Sequence, residues 1–445
     1  MDKIKEKLFL LKNRIFKPLI YKQCKTVIQN EKLSREAISD LNWEKRRKIV
    51  EYAYNNTQFY KEFYDNNNFH PSMLQTEKDW ELVPLLSKQM IRENGEEIKV
   101  KQIDPKRFRS STTGGSTGMP LQVFHDSNIQ PHPIGYRFLK WWNVGIADNH
   151  ATVHRNAPYS SSAILKDRLT WFPTKRIFLS ASSYGKTDIK RFIQQIEKYQ
   201  IKRIVGYVGA IETVADYIIS NNVKVEGIEH IWATSSVLTK QMRQKIEQAF
   251  SCRVMDQYGC CEVNHLAQEC PICNGLHINS DIVHLDIVDS VERTIIYDDR
   301  KGDIVVTDLQ NMVFPIIRYE LGDQSNFIIE HDKKCALPFP LMNFVSGRTS
   351  DTITLPSQRV IAGEYLTTIF DGYVGVISSF QVVQKKDLSL TVKMVSQCDE
   401  SKTKVVMDEI KATLQEKVNN EVAVNIEILD AIPLINSKRR YIIKE

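Results

Sequence analysis

The stretch Ile231–Glu262, IWATSSVLTKQMRQKIEQAFSCRVMDQYGCCE, reads as strand, helix, strand. Ile228 to Ala233 is apolar enough for a buried strand, Thr239 stands where a helix to Phe250 needs its N-cap, and Cys252 to Tyr258 is strand-like again. The same rhythm continues upstream. Ile189, Phe192, Ile193 and Ile196 share one helical face, Ile201 to Tyr207 reads as a strand, and Ala210 to Ser220 as a helix. Strands alternating with helices of this length predict a largely parallel sheet with helices on its faces, an α/β domain. Ligands of such sheets collect beyond the carboxyl ends of the strands. Ser235 and Ser236 follow one strand in that way and Gln257, Tyr258 and Gly259 the next, so both segments are candidate binding loops.

The texture changes after Gly347. Val376–Gln384 and Leu388–Val395 read as a strand pair, Ser401 to Val418 as a helix and Val422–Leu429 as a further strand, enough for a small α+β domain. A boundary at Gly347-Arg348 divides the chain into 1–347 and 348–445. A length of 445 residues requires more than one core. With 42% apolar and 26% charged residues the composition is that of a globular protein, and a net charge of +6 spread along the chain gives no argument for nucleic acid. There is no apolar run long enough to span a membrane and no signal-peptide pattern, so a cytoplasmic location is expected, with the eight cysteines free or metal-bound.

Two local features stand out before any motif comparison. Ser110-Ser111-Thr112-Thr113-Gly114-Gly115-Ser116-Thr117-Gly118-Met119-Pro120, followed by the strand-like Leu121-Gln122-Val123-Phe124, combines hydroxyls with glycines whose backbone N–H groups can converge on an anion. It has neither the Gly-Lys-Ser/Thr ending of a Walker loop nor Gly-x-Gly-x-x-Gly spacing. At the N-terminus, Ile4, Leu8, Leu11, Ile15 and Leu19 fall on one helical face among Lys3, Lys5, Lys7, Lys12, Arg14 and Lys17, with Pro18 as a stop. Such a face either docks on the protein's own core, the preferred reading, or lies on an anionic membrane surface as a peripheral contact.

Four further islands follow the hydroxyl-rich loop: Asp256-Gln257-Tyr258-Gly259-Cys260-Cys261-Glu262, Arg318-Tyr319-Glu320-Leu321-Gly322-Asp323, Gly347-Arg348-Thr349-Ser350-Asp351, and Pro433-Leu434-Ile435-Asn436-Ser437-Lys438-Arg439-Arg440. In this order they resemble the adenylate-forming enzymes, and most of all the branch of phenylacetate–CoA ligases and CapK-like capsular polysaccharide biosynthesis proteins. The resemblance runs from about residue 80 to the end. It implies a large adenylate-forming N-terminal domain with mixed and parallel sheets, and a small, mobile α+β C-terminal domain.

The resemblance also assigns roles. Thr112 to Gly118 (Thr112, Thr113, Gly114, Gly115, Ser116, Thr117, Gly118) would wrap the phosphates of ATP, and Tyr258 would pack on adenine. Glu262 would be the Mg²⁺ ligand. Asp323 would accept both ribose hydroxyls, and Arg348 would lie near ribose and phosphate, with the hinge at Ser350 or Asp351. Lys438 would reach the carboxylate and α-phosphate during adenylation, where a cation stabilises the charge that builds up. Three positions depart from the family: Leu121 stands where many members have lysine, Cys261 where they have a hydroxyl, and Gly206-Tyr207-Val208-Gly209 where they have Gly-Tyr-Pro-Ser. Tyr136, Trp141, Trp142, Tyr159 and Tyr207 are candidates for an aryl pocket, and His125 and His154 for a base.

Cys270-Pro271-Ile272-Cys273-Asn274-Gly275-Leu276-His277 has the C-x2-C-x3-H spacing of a zinc site and needs a fourth ligand. The resemblance points to Cys335, with Cys260, Cys261 and His265 as competitors. The function implied is ATP-dependent activation of a small carboxylate to an acyl adenylate and transfer to coenzyme A. An amine acceptor and a non-catalytic nucleotide-binding scaffold are the alternatives, and the acid and the oligomeric state stay open.

Overall fold

The parallel order read from the sequence is present, although it accounts for only part of the chain. The computed structural model describes all residues except 1–2, 114–120, 155–159, 183, 236–237, 239, 330–333, 346–351, 363–365, 367, 374–375, 397, 431, 433–441 and 445. The chain divides into two compact units. One comprises Met1–Ser111, Gln122–Asp148 and Met255–Arg348, the other Thr112–Leu121, Asn149–Val254 and Thr349–Glu445.

The second unit holds the doubly covered sheet. Strands Arg176–Ser180, His150–His154, Arg203–Tyr207 and His230–Thr234 lie side by side in that order, all parallel. Helices Lys186–Lys198, Val208–Ser220 and Lys240–Phe250 alternate with them along the chain. Their apolar faces share one core, including Phe192, Ile204, Ile211, Val214, Ile231 and Ile246, because a strand buried on both faces must be apolar at nearly every position. Gly206 is required for close packing: a Cβ there would come within 2.3 Å of the Val153 carbonyl oxygen. In the same unit, Val424–Ile428, Leu390–Ser396, Ile377–Gln384 and Ile442–Lys444 form a four-stranded sheet, antiparallel at its centre and parallel at both edges. Helix Glu400–Lys417 buries Val406, Ile410 and Leu414 in the core of that region. Arg359 is 3.4 Å from Asp188, whose carboxylate also accepts the Gly185 N–H, so an ion pair joins this region to the loop opening helix Lys186–Lys198.

The first unit is helical and antiparallel. Val283–Val288, Gly302–Asp308 and Tyr319–Ser325 form a three-stranded antiparallel sheet. A second antiparallel run joins Arg253–Cys260, Asn264–Glu269, Leu276–Ile278, Leu341–Met342 and Phe327–Ile328 in succession. Helices Pro18–Asn30, Arg35–Asn56 and His132–Trp141 are tied together by buried polar groups. Arg137 pairs with Asp281 and donates to the Val27 carbonyl at 2.8 Å, while Asn30 donates to Asp281 at 2.8 Å and Asn42 to the Ser280 and Val283 carbonyls. A charge this deeply buried is tolerable because it is paired with Asp281 and both terminal guanidinium nitrogens are hydrogen-bonded.

Two expectations change. Gln257, Tyr258 and Gly259 lie inside strand Arg253–Cys260 rather than after it, because that strand turns back as a hairpin and does not feed a helix. At the N-terminus, helix Lys3–Phe16 ends before Pro18, which sits in the first turn of the next helix, Pro18–Asn30. The face carrying Ile4, Leu8, Leu11, Ile15 and Leu19 is exposed rather than docked on the core; Phe9, which is 6% exposed, is the buried side chain of this helix.

Candidate active site

The hairpin Arg253–Cys260/Asn264–Glu269 turns through Cys261-Glu262-Val263. The turn closes on Asn264 at φ 71°, a left-handed conformation that asparagine adopts more readily than most residues. Gly259 lies against its partner strand so closely that a Cβ would meet the Asn264 carbonyl oxygen at 2.3 Å. The register that sets Tyr258 and Glu262 on this hairpin therefore depends on glycine at 259.

Strand Tyr319–Ser325 supplies the opposing groups. Side chains alternate along a strand, and here Tyr319, Leu321, Asp323 and Ser325 are buried while Glu320, Gly322 and Gln324 are more exposed. The outward set is held by surface partners, Glu320 by Arg293 and Gln324 by Asp303. The inward set meets the hairpin. The Tyr258 hydroxyl donates to Asp323 Oδ2 at 3.0 Å, and the Tyr319 hydroxyl donates to Glu262 Oε1 at 3.0 Å. Two buried carboxylates thus each receive a phenolic hydrogen bond, the satisfaction a buried charge requires. Leu86 pairs in parallel with Tyr319 and fixes this strand from its other edge.

Arg318, one residue before Tyr319, does different work. It is buried at φ 48° and donates to the Glu81 and Val83 carbonyls at 3.0 and 2.7 Å, and its Nε lies 3.6 Å from Asp286. Asp286 also accepts from Trp80 Nε1 at 3.0 Å and pairs with His284 at 2.9 Å. Burial pushes the Asp286 carboxyl up, but His284, Arg318 and Trp80 outweigh it and hold it near 2. This network braces the strand and leaves Tyr319 and Asp323 to face the hairpin.

His125 bonds through Nε2 to the Cys261 carbonyl at 2.8 Å, and Nδ1 lies 3.4 Å from the Asn264 amide. Burial lowers its pKa, with the Cys261 hydrogen bond opposing. It positions the Glu262 turn, a role its isolated place in the sequence gave no sign of. Val263, Asn264 and His265 line a cavity of about 30 Å³ with His125, Asp308 and Asn311. Burial pushes the Asp308 carboxyl up to about 6, against hydrogen bonds from the Gln310 and Asn311 N–H groups.

Of the other sequence candidates, Ser235 is exposed at φ 76° after strand His230–Thr234, and Cys261 is exposed. Leu121 is 1% exposed and serves as a core residue. Thr112 and Thr113 end the strand Phe108–Thr113. Gly114, Gly115, Ser116, Thr117, Gly118, Ser236, Arg348, Ser350, Asp351 and Lys438 lie outside the described residues, as does Tyr159. Trp142 donates to the Glu269 carbonyl at 2.8 Å, Tyr136 to Glu6 at 3.5 Å, and Trp141 packs edge-on against His277. These three rings are thus occupied in the framework. Tyr207 is placed differently, at the carboxyl end of a parallel strand, with its hydroxyl 2.7 Å from His154 Nε2 at the end of the neighbouring one.

Cys270, Cys273, His277 and Cys335 converge in the first unit. All four are buried and their ligand atoms lie within 4.8 Å of one another. The Cys270 and Cys335 sulfurs are 4.0 Å apart and Cys335 Sγ is 3.4 Å from His277 Nε2. Tetrahedral zinc with bonds of about 2.3 Å to sulfur and 2.0 Å to nitrogen sets these separations at roughly 3.8 and 3.5 Å, so the donors fit that ion. His277 Nδ1 lies 3.0 Å from the Phe339 carbonyl, which can only accept, so Nε2 carries the lone pair that faces the cysteines. Cys260, Cys261 and His265 do not join the cluster.

The sequence model of the CapK C-terminal domain matches residues 353–445. Protein CapK of Staphylococcus aureus is 22% identical over 413 residues, covering 91% of this chain and 88% of that protein. A phenylacetate-coenzyme A ligase of Pseudomonas putida is 20% identical, covering 89% of this chain and 92% of its own length. Among solved structures, 2-hydroxyisobutyryl-CoA ligase in complex with 2-HIB-AMP and CoA superposes with a TM-score of 0.62 at 16% identity, over 94% of this chain and 91% of that one. Over nearly its whole length the chain is thus similar in sequence to CapK and the phenylacetate–CoA ligases, and it shares the fold of a CoA ligase of known structure.

Proposed function

We propose that this protein is an AMP-forming acid ligase. A carboxylate oxygen attacks the α-phosphorus of ATP, the bond to pyrophosphate breaks, and an acyl adenylate forms. The thiol of coenzyme A then attacks the acyl carbon and AMP leaves. The observation that carries this reading is the pairing of Tyr258 with Asp323 and of Tyr319 with Glu262 in one buried row, in a chain similar in sequence to CoA ligases. Asp323, an acceptor-only group when ionised, is suited to both ribose hydroxyls. Its bond to Tyr258 couples the ribose acceptor to an aromatic face of the kind that stacks on adenine. Glu262 suits Mg²⁺, which binds through one or two carboxylates together with substrate phosphates and would neutralise triphosphate charge. With Leu121 in the core, Thr112 to Gly118 would grip phosphate by backbone N–H and hydroxyl groups, and Lys438 would supply the cation at the α-phosphate.

The Cys270/Cys273/His277/Cys335 cluster is read as a structural zinc site, since four protein ligands leave no open position for catalysis. A place in capsular or surface polysaccharide biosynthesis follows from the sequence resemblance alone. The deciding experiment is acid-dependent pyrophosphate release across a panel of carboxylic acids, followed by product analysis with coenzyme A and with amines. Release with thioester formation supports the proposal. Amide formation alone would move the acceptor to an amine, and ATP binding without release for every acid would make the protein a scaffold.

A further inference from the structure

The N-terminal helix turns its apolar stripe away from the protein. On a helical wheel of about 100° per residue, Ile4, Leu8, Leu11 and Ile15 fall within roughly 60° of one another. Ile4 is 73% and Ile15 62% exposed, and Leu8, Leu11, Phe16 and Leu19 are exposed as well. The opposite side carries the attachments. Phe9 is buried, Glu6 accepts from Tyr136, and the helix packs on Pro18–Asn30, which in turn packs on His132–Trp141. That platform is rigid, because Gln23 donates to the Asn128 carbonyl at 2.7 Å and Arg137 to the Val27 carbonyl at 2.8 Å. The exposed stripe therefore belongs to a helix fixed on its inner side.

Charge settles what the stripe meets. Lys7 and Arg14 border it on one side and Lys5 on the other, where Lys12 lays its ammonium over the Phe9 ring, 4.9 Å from the centroid, while Lys17 follows the helix; Glu6 is the one acidic residue of the helix and faces inward. Long basic side chains at both borders of an apolar stripe match an interface of acyl chains beneath anionic headgroups, where stems lie along the apolar layer and charges reach the phosphates. A second copy would bring two such basic borders together and be repelled. We infer that helix Lys3–Phe16 is a membrane-surface anchor that lies flat on anionic lipid, placing the enzyme at a bilayer without crossing it. Among the described residues no helix is long and apolar enough to span one.

The test is co-sedimentation of the full-length protein with vesicles of phosphatidylcholine alone and of phosphatidylcholine with phosphatidylglycerol. Partitioning is expected only with phosphatidylglycerol, and should fall about tenfold between about 0.1 and 0.5 M salt as the charges are screened. The double variant Leu8→Glu/Leu11→Glu should partition at least about tenfold less while keeping the parent's thermal midpoint, since both side chains are exposed. Lys7→Gln/Arg14→Gln, with the stripe intact, should also weaken binding to anionic vesicles. Equal binding to both vesicle types by the unaltered protein overturns the inference, as does binding unchanged in Leu8→Glu/Leu11→Glu. So does a concentration-dependent dimer in sedimentation velocity that appears without vesicle binding, which would assign the face to a second copy.

Discussion

The cysteine–histidine cluster and the carboxylate row lie in the same unit, both buried, and are built by opposite rules. Cys270, Cys273, His277 and Cys335 turn their donor atoms toward one another, with the Phe339 carbonyl fixing the imidazole from behind. Glu262 and Asp323 instead face side chains that can yield: a phenolic hydroxyl bonds one oxygen of each carboxylate and leaves room for a ligand to compete. A closed donor set favours permanence, and carboxylates reached by neutral hydroxyls favour exchange. On the function proposed above, the contrast separates a part that would hold the fold from a part that would carry chemistry.

The largest effect is expected outside both. Lys438→Ala should lower acid-dependent pyrophosphate exchange by about 10³-fold or more with no change in thermal midpoint, because it removes transition-state charge stabilisation; near-normal exchange would break the assignment of chemistry to this site. Asp323→Asn should lower kcat/KM for ATP by roughly 10²-fold and shrink the preference for ATP over its 2′-deoxy form. An undiminished preference would remove Asp323 from ribose recognition. In the cluster the sign of the contrast reverses. Cys273→Ser should bring bound zinc below half an equivalent, by metal analysis, and lower the thermal midpoint by several degrees, with turnover per folded molecule retained. Lost turnover at an unchanged midpoint would contradict a structural role.

Asp308 gives a pH signature distinct from either. Its folded pKa of about 6 lies above the ordinary carboxylate value, so the folded state holds the proton more tightly. The associated stability is fully present below about pH 4 and is lost as pH rises through about 6. Asp308→Asn should match the parent near pH 4 and exceed it at pH 7 by up to about 3 kcal/mol in denaturant unfolding, the worth of about two pH units. The smallest effect is expected of Tyr319→Phe. Losing one hydroxyl donor to Glu262 should cost about 1 kcal/mol, a several-fold rise in the Mg²⁺ concentration needed for half-maximal rate.

Much of this was legible in the sequence because period and spacing are local. Of the four parallel strands, Arg203–Tyr207 and His230–Thr234 were recovered within a few residues together with the helices beside them, whereas His150–His154 and Arg176–Ser180 were not read. Cys270, Cys273 and His277 advertised themselves by spacing, whereas Cys335 is 58 residues beyond His277 and needed the resemblance. What stayed hidden depends on tertiary proximity. The phenol–carboxylate pairs span 65 residues for Tyr258 and Asp323 and 57 for Glu262 and Tyr319, and no periodicity links them. His125 was noticed as a candidate base, yet its bond to Cys261 gives it a positioning role. The N-terminal stripe was read correctly as a face and assigned the wrong side, because amphipathicity records that a helix has two environments and not which of them is the protein.

The alternation along Tyr319–Ser325 has a consequence for how this site can change over generations. Just before the strand, Arg318 braces the segment ending at Val83; on the strand itself Tyr319 and Asp323 face the hairpin, and Glu320 and Gln324 hold surface partners. Exchanging any one side chain alters one contact. Removing or inserting a single residue between 319 and 323 would either carry Asp323 to the other face of the strand or displace the register shift that lies opposite Asp303–Val305, where Gly322 stands at φ 80°. The segment is therefore open to drift in composition but closed to drift in length, and variation among functional descendants should accumulate there as substitutions without gaps.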